Sequence, residues 1–411
     1  MAQDKAKASP DDQAIGQRSR RIREQRGLSL EVAAGLAGLS KGYLSKLENG
    51  LKGFTRRGLI EDIAEALGCS VADLTGEPYP ARDRRTAEAL AVLPAMTVAL
   101  YETPEHDRSG RVAALPLERL LSAVAQANAL CEESRYALAG RELPALLGGL
   151  HAQAAIGSSE QRQGALRGLT EGYVVAFGVA RHLGRPELAM QAATRARETA
   201  QQLDDPALAG FATLMTASGF SRLGARRAAD NVLSGGFAEI QPTADPSGPD
   251  KRAAEALGVM HLVSAQLAAR SGRADTAQAH LSEATDLAQR TGEQNTLQWH
   301  FGPANVASWS LAIAVETERG PGVAERIDAD LPLVTSAGRR SRLHFDLARG
   351  YAQAEGQRDD LAIRHIDTAD RIAPVRVRND PIARDLVSMV DRRARRRVWE
   401  LESLKRRLGV S

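Results

Sequence analysis

Residues 28–50 constrain this chain more than any other stretch. With Gly27 in front they read GLSLEVAAGLAGLSKGYLSKLENG, two short helical segments separated by a tight turn. Ser29 stands where an N-cap is needed, and Val32, Ala33 and Leu36 follow at helical spacing as an apolar face. Gly38 ends that helix, Leu39 plugs the corner, and Ser40 caps a second helix over Lys41 to Glu48. On the second helix Leu44 and Leu47 are predicted to point inward, which leaves Lys41, Gly42, Ser45, Lys46 and Asn49 outward. An outer face of small, polar and basic residues near a helix N-terminus suits a DNA major groove. The charge distribution agrees. Residues 14–60 hold ten Lys and Arg against three acids, a net +7, so the remainder of this +3 chain sums to −4. Basic charge gathered around such a helix is the footprint expected for a polyanionic partner.

The segments IGQRSRRIREQRGLS, AGLSKGYLSKLENG and LIEDIAEALGCSVADL fall within residues 14–75. Together they resemble the XRE/Cro-type helix-turn-helix family of bacterial and phage regulators. The resemblance implies five packed helices, with Ser40 to Glu48 as the recognition helix and double-stranded DNA as partner. The position after Ser29 is often Gln in that family, where it helps hold a phosphate or base; here it is Leu30. Ser40, Lys41, Gly42, Ser45 and Lys46 are the base-edge candidates. Arg18, Arg21, Lys52, Arg56 and Arg57 are the phosphate candidates, contacts that position a domain without reading sequence. A first helix from Gln13 to Arg26 should bury Ile22 and the stems of its arginines, with the guanidinium heads outward. One small head reads one half-site, so a homodimer is expected.

The rest of the chain is predicted to be helical throughout. At 411 residues it can hold two or three domains, and its 43% hydrophobic content with only 4% aromatics suits helices stacked through alanine. The expected division is a disordered tail over 1–12, the helix-turn-helix domain over 13–78, a linker over 79–84 in the Pro-containing EPYPARD stretch (77–83), and a helical-repeat body over 85–411. Single helices are predicted over 84–101, 116–138, 294–318 and 382–408, among others, with breaks at glycines and prolines such as Gly184, Gly224 and Gly272. Ala265, Gly272, Ala277, Leu281 and Ala284 have the spacings of small, turn and packing positions in a tetratricopeptide repeat. Phe177, Gly184, Ala189, Ala193 and Ala196 repeat those offsets, as do Ala217, Gly224, Ala229 and Leu233. This part resembles the TPR superfamily. The fold class expected is therefore all-α, a five-helix head followed by a TPR-like α-solenoid. The two-part architecture is similar to the RRNPP-type quorum-sensing regulators, which implies a peptide or small-molecule effector held in a superhelical groove. The alternatives are an adaptor that recruits a protein partner to DNA, and an antitoxin.

No catalytic constellation is visible. The eight His are scattered, no H-E-x-x-H, C-x-x-C, G-x-S-x-G or Gly-rich phosphate loop occurs, and neither an enzymatic role nor a metal or other cofactor is expected. Cys69 and Cys131 lack metal-ligand spacing and fit reduced thiols of a cytoplasmic protein. No apolar run approaches the roughly 18 residues of a membrane span. Two features of the body point to a ligand. TLQWHFGPANVASWS (296–310) gathers Trp299, His300, Asn305 and Trp309 in a chain poor in aromatics, as either a ligand clamp or a plug between repeats. Arg181, Arg222 and Arg270 fall at nearly the same repeat position, as either a cationic stack for a carboxylate or solvated arginines at helix C-termini. The final helix is expected to cap the solenoid or to dimerise.

Overall fold

The computed structural model describes residues 14–102, 115–327, 329, 336–394 and 398–410, so the expected tail over 1–12 lies outside the described residues. The head holds α1 (Ile15–Gln25), α2 (Leu30–Leu36), α3 (Lys41–Glu48), α4 (Arg57–Leu67) and α5 (Val71–Thr75). Then come α6 (Arg84–Leu90), α7 (Leu93–Tyr101), α8 (Leu117–Glu132), α9 (Tyr136–Arg141) and α10 (Leu143–Ile156). Five helix pairs follow: α11 (Ser159–His182) with α12 (Pro186–Ala200), α13 (Pro206–Arg222) with α14 (Arg226–Ile240), α15 (Arg252–Arg270) with α16 (Ala274–Thr291), α17 (Pro303–Glu316) with α18 (Gly320–Ala324), and α19 (Ala337–Ala352) with α20 (Asp359–Ile372). The series ends with α21 (Pro374–Arg378), α22 (Pro381–Arg393) and α23 (Trp399–Leu408). Among the described residues the β pairing is confined to one isolated bridge, Gln294 to Phe301.

Local chemistry sets the head. The Ser29 hydroxyl accepts from the Val32 N–H and the Ser40 hydroxyl from the Tyr43 N–H, starting α2 and α3, while Gly38 takes a left-handed φ of 67° between them. Leu44, Leu47, Leu59, Ile63 and Leu67 form its core. At Gly16 a Cβ would lie 2.0 Å from the Leu47 carbonyl oxygen, so only glycine lets α1 approach α3 this closely. The apolar face of α2 differs from expectation. Ala33, Ala34 and Ala37 are buried, and Val32 and Leu36 are exposed. Short alanine side chains let α2 lie close on α3 and α4, and the larger residues turn away.

The predicted helix over 84–101 is two, interrupted ahead of Pro94, and the one over 116–138 breaks at Ser134, whose φ is 57°. The segment 294–318 begins with a 3₁₀ turn, and α17 starts only at Pro303. The predicted 382–408 helix ends at Arg393 and resumes at Trp399; residues 395–397 lie outside the described residues.

Alanines with no exposed surface, including Ala193, Ala196, Ala217, Ala265, Ala277 and Ala284, sit where body helices meet. The succession α8, α11, α13, α15, α17, α19 packs side by side, and α19 returns to α8. The return is polar: Ser336 Oγ donates to Glu132 Oε1 at 3.0 Å, Arg339 Nε donates to the same oxygen at 3.1 Å, and the Ala337 N–H reaches Glu133 at 3.2 Å. The body therefore closes on itself around an interior, where an open groove was expected.

Candidate nucleic-acid interface and interior cavity

On α3 the side chains of Ser40, Lys41 and Lys46, together with Gly42, are exposed, and Ser45 is half-buried beside Asn49. Lys41 is 3.4 Å from Glu31, an exposed pair that water and a phosphate can readily replace. The phosphate candidates separate into three groups. Arg21 is exposed. Lys52 pairs with Glu355 at 2.7 Å and lies 5.0 Å above the Tyr43 ring, and Arg56 pairs with Glu318 at 3.1 Å. Arg18 and Arg57 depart from expectation, because both are buried. Arg18 donates to the Thr75 carbonyl at 3.0 Å, tying α1 to α5, and Arg57 is ion-paired with Asp380 of the body.

Arg57 is part of a larger attachment. The first turn of α4 has no side-chain cap of its own. Glu316, the last residue of α17, accepts both the Arg57 and the Gly58 N–H at 3.2 Å and so caps α4 from the body. Burial would raise the Glu316 pKa, but Arg349 and Arg270 outweigh it and bring the carboxyl down to about 2. Arg349 is fully buried and donates to Glu316 at 2.5 Å, to Asp346 at 2.7 Å and to the Thr55 carbonyl at 2.8 Å. Arg226 grips the other side of α4 through Glu61 at 2.7 Å, Asp62 at 2.6 Å and the Gly58 carbonyl at 2.7 Å. The backbones meet at Gly58, where a Cβ would lie 2.4 Å from the Arg270 carbonyl oxygen. From α22, Asp385 accepts the Phe54 N–H at 2.7 Å and Arg392 donates to the Gly50 carbonyl at 2.8 Å. Helix α22 thus holds the loop that follows α3, a role the sequence did not suggest for it.

Beneath α4 lies a cavity of about 120 Å³. Seven arginines line it: Arg57, Arg181, Arg222, Arg270, Arg339, Arg342 and Arg376. Two carboxylates, Glu132 and Asp346, and the apolar side chains of Val259, Val263, Leu267, Ala312, Trp299 and Trp309 also line it. Arg339 pairs with Glu132, Arg342 with Asp346 at 2.5 Å, Arg57 with Asp380, and Arg270 lies 3.4 Å from Glu61. Among the described residues no carboxylate pairs with Arg181, Arg222 or Arg376. Burial and the neighbouring Arg376 bring Arg181 down to about 10, and burial with Arg57 and Arg181 pulls Arg222 well below its ordinary value. Four buried nitrogens on this wall have no hydrogen-bond partner: Arg181 Nε, Arg270 Nε, Gln266 Nε2 and Trp299 Nε1.

Six of the seven residues singled out for an effector, Arg181, Arg222, Arg270, Trp299, Asn305 and Trp309, line this one space. His300 stands just behind it, with its carbonyl accepting from Asn305. The turn that carries Trp299 is strained, with Leu297, Gln298 and His300 at φ of 51°, 61° and 50°. Glu255 anchors it by accepting the Thr296 N–H at 2.9 Å, and burial pushes that carboxyl up to about 7. Arg57, Arg339, Arg342 and Arg376 were not anticipated on the wall, since no repeat position marks them.

Residues 14–75 match the family model described as a helix-turn-helix domain, which supports a DNA-binding regulator. No curated protein sequence matches the chain. Among solved structures, BtubC (BKLC) from P. vanneervenii aligns with 63% of this chain and 92% of its own at 16% identity and a TM-score of 0.34, a likeness too slight to carry an argument. Among the described residues no helix is long and apolar enough to cross a membrane, and no group of His, Cys, Asp and Glu is placed to hold a metal ion.

Proposed function

We propose that the chain is a sequence-specific transcription regulator that binds double-stranded DNA as a homodimer through α3, and that its body governs the head in response to a small-molecule effector. The observation that carries this reading is the position of α4. Its first turn is capped by Glu316 from the body, and its Arg57 forms part of the cavity wall. A ligand that alters the charge balance around Arg57 and Arg270 alters the attachment of the head, and through it the orientation of α3 relative to the DNA. The interior space favours a sensor over an adaptor, whose partner segment would need an open groove. Its volume compares with the roughly 150 Å³ cavity that admits benzene, which favours a small molecule over a peptide.

The test is selection of binding sites by the whole protein from randomised duplexes, followed by titration of the selected and a scrambled duplex. Lys46→Ala should weaken binding and reduce discrimination between the two, whereas Arg21→Ala should weaken both about equally and flatten the salt dependence. Selection of no site, or loss of the same discrimination in both variants, would contradict the assignment.

A further inference from the structure

We infer that the arginine cavity binds a small organic dianion, with its charged group among Arg181, Arg222 and Arg376 and its apolar body against Trp299 and Trp309. This names the chemical class of the effector and rests on the regulator reading for its consequence, though not for the binding itself.

The first argument is charge. Of the carboxylates nearby, Glu132, Asp346 and Asp380 each already hold another guanidinium, and Glu77 acts on Arg222 without forming a direct ion pair with it. Three part-buried cations then crowd together without a direct ion pair of their own, an arrangement that costs stability unless an anion adds to the carboxylates they share with other arginines. Burial first, and then the neighbouring arginines, lower the pKa values of Arg181 and Arg222. A structural role would not require this crowding, because apolar residues of equal volume would close the ring at lower cost.

The second argument is the set of unused donors. Arg181 Nε, Arg270 Nε, Gln266 Nε2 and Trp299 Nε1 are all buried and all unpartnered, and all are donors. A site poor in free acceptors and rich in free donors selects an acceptor-only ligand, meaning a phosphate or carboxylate. The third is shape. The lining also includes Val259, Val263, Ala312 and two indoles, so the ligand has an apolar, preferably flat, body. The volume is on the scale of a single ring. The strained turn holding Trp299 belongs to the same wall, in keeping with strain stored at ligand sites. Phosphate monoesters and dicarboxylates share this chemistry.

The whole protein, without DNA, should be titrated with phenyl phosphate, with phthalate and, as a neutral match, with benzyl alcohol. Tryptophan fluorescence and melting temperature are the readouts, since two of the three Trp line the cavity. At least one dianion should give a saturable change in fluorescence and a rise in melting temperature at millimolar concentration, and benzyl alcohol neither. The stronger of the two dianions tells a phosphate ester from a dicarboxylate. Arg222→Met should melt at the same or a higher temperature without ligand and bind about tenfold or more weakly. Arg376→Gln, a milder change, should weaken binding in the same direction. A saturable response from neither dianion, or undiminished binding in both variants, would overturn the site. Binding that leaves duplex affinity unchanged at saturation would overturn the effector role alone, while no binding would leave DNA recognition by α3 standing on its own test.

Discussion

Glu318 and Glu355 form an internal mask over the basic surface of the head. The turns after α11, α13 and α15 use Gly184, Gly224 and Gly272, all with φ between 71° and 79°. After α17 the equivalent position is Glu318 with φ 60°, and one residue further along the turn after α19 is Glu355 with φ 50°. A side chain in this conformation costs about 1–2 kcal/mol relative to the right-handed region. Both glutamates pair with phosphate candidates, Arg56 and Lys52. In the double variant Glu318→Gly/Glu355→Gly the relief of strain offsets the lost pairs, which at their exposure are worth about 0.2–1 kcal/mol each, so the melting temperature should hold or rise. DNA must displace these carboxylates to use the cations. Removing both should tighten duplex binding by about 0.4–2 kcal/mol, roughly two- to thirtyfold. The slope of log K against log salt should steepen by up to about two, from about 0.9 per phosphate neutralised. Fluorescence anisotropy of a labelled duplex across a salt series measures both. Unchanged affinity and slope in a folded double variant would refute the masking argument.

Three further outcomes follow from the packing and the buried charges. Gly58→Ala should loosen the head from the body at a cost of about 1–3 kcal/mol, because its methyl meets the Arg270 carbonyl; faster amide exchange in the first turn of α4, with the rest of the head unchanged, checks it. The Nδ1 atoms of His261 and His280, and those of His344 and His365, lie 3.0 Å apart, and burial with the partner ring lowers His261 and His365 to about 4. Since these native values lie below the ordinary histidine value, the stability they contribute is present above pH 6.5 and lost as pH falls toward about 4. Melting curves of His261→Phe/His365→Phe should be flatter across that window. Asp385 has the opposite sign: burial pushes it up to about 6, so its contribution is present below its ordinary value and declines as pH rises through about 6. Asp385→Asn keeps an acceptor for the Phe54 N–H and should hold the loop after α3 more firmly at neutral pH, seen as slower exchange of that amide.

The recognition segment was legible because its determinants are local. Ser29, Gly38, Ser40, Leu44 and Leu47 act within a few residues of one another, and the turn and second helix follow from them. The face of α2 was not legible. In a seven-residue helix rich in alanine, the spacing of Val32 and Leu36 is as helical as that of Ala33 and Ala37, and contact with α3 and α4 decides between them. Arg18 and Arg57 have the same local pattern as the exposed Arg21, and what buries Arg57 is Asp380, more than three hundred residues away. In the body, the Trp299–Trp309 segment and the Arg181–Arg222–Arg270 series were each visible. That they line one space depends on the closure of α19 on α8 through Glu132 and Arg339, a pairing that no repeat spacing encodes.

The central claim is that α3 reads DNA sequence while α4 ties it to the body. It is tested most directly by the affinities of the whole protein and of Lys46→Ala for a selected duplex and its scrambled counterpart at one salt concentration. The account predicts a clear preference for the selected duplex that falls by about tenfold in the variant, the weight of one base contact. Equal affinity for both duplexes in the unmodified protein, or a preference untouched by Lys46→Ala, would contradict it.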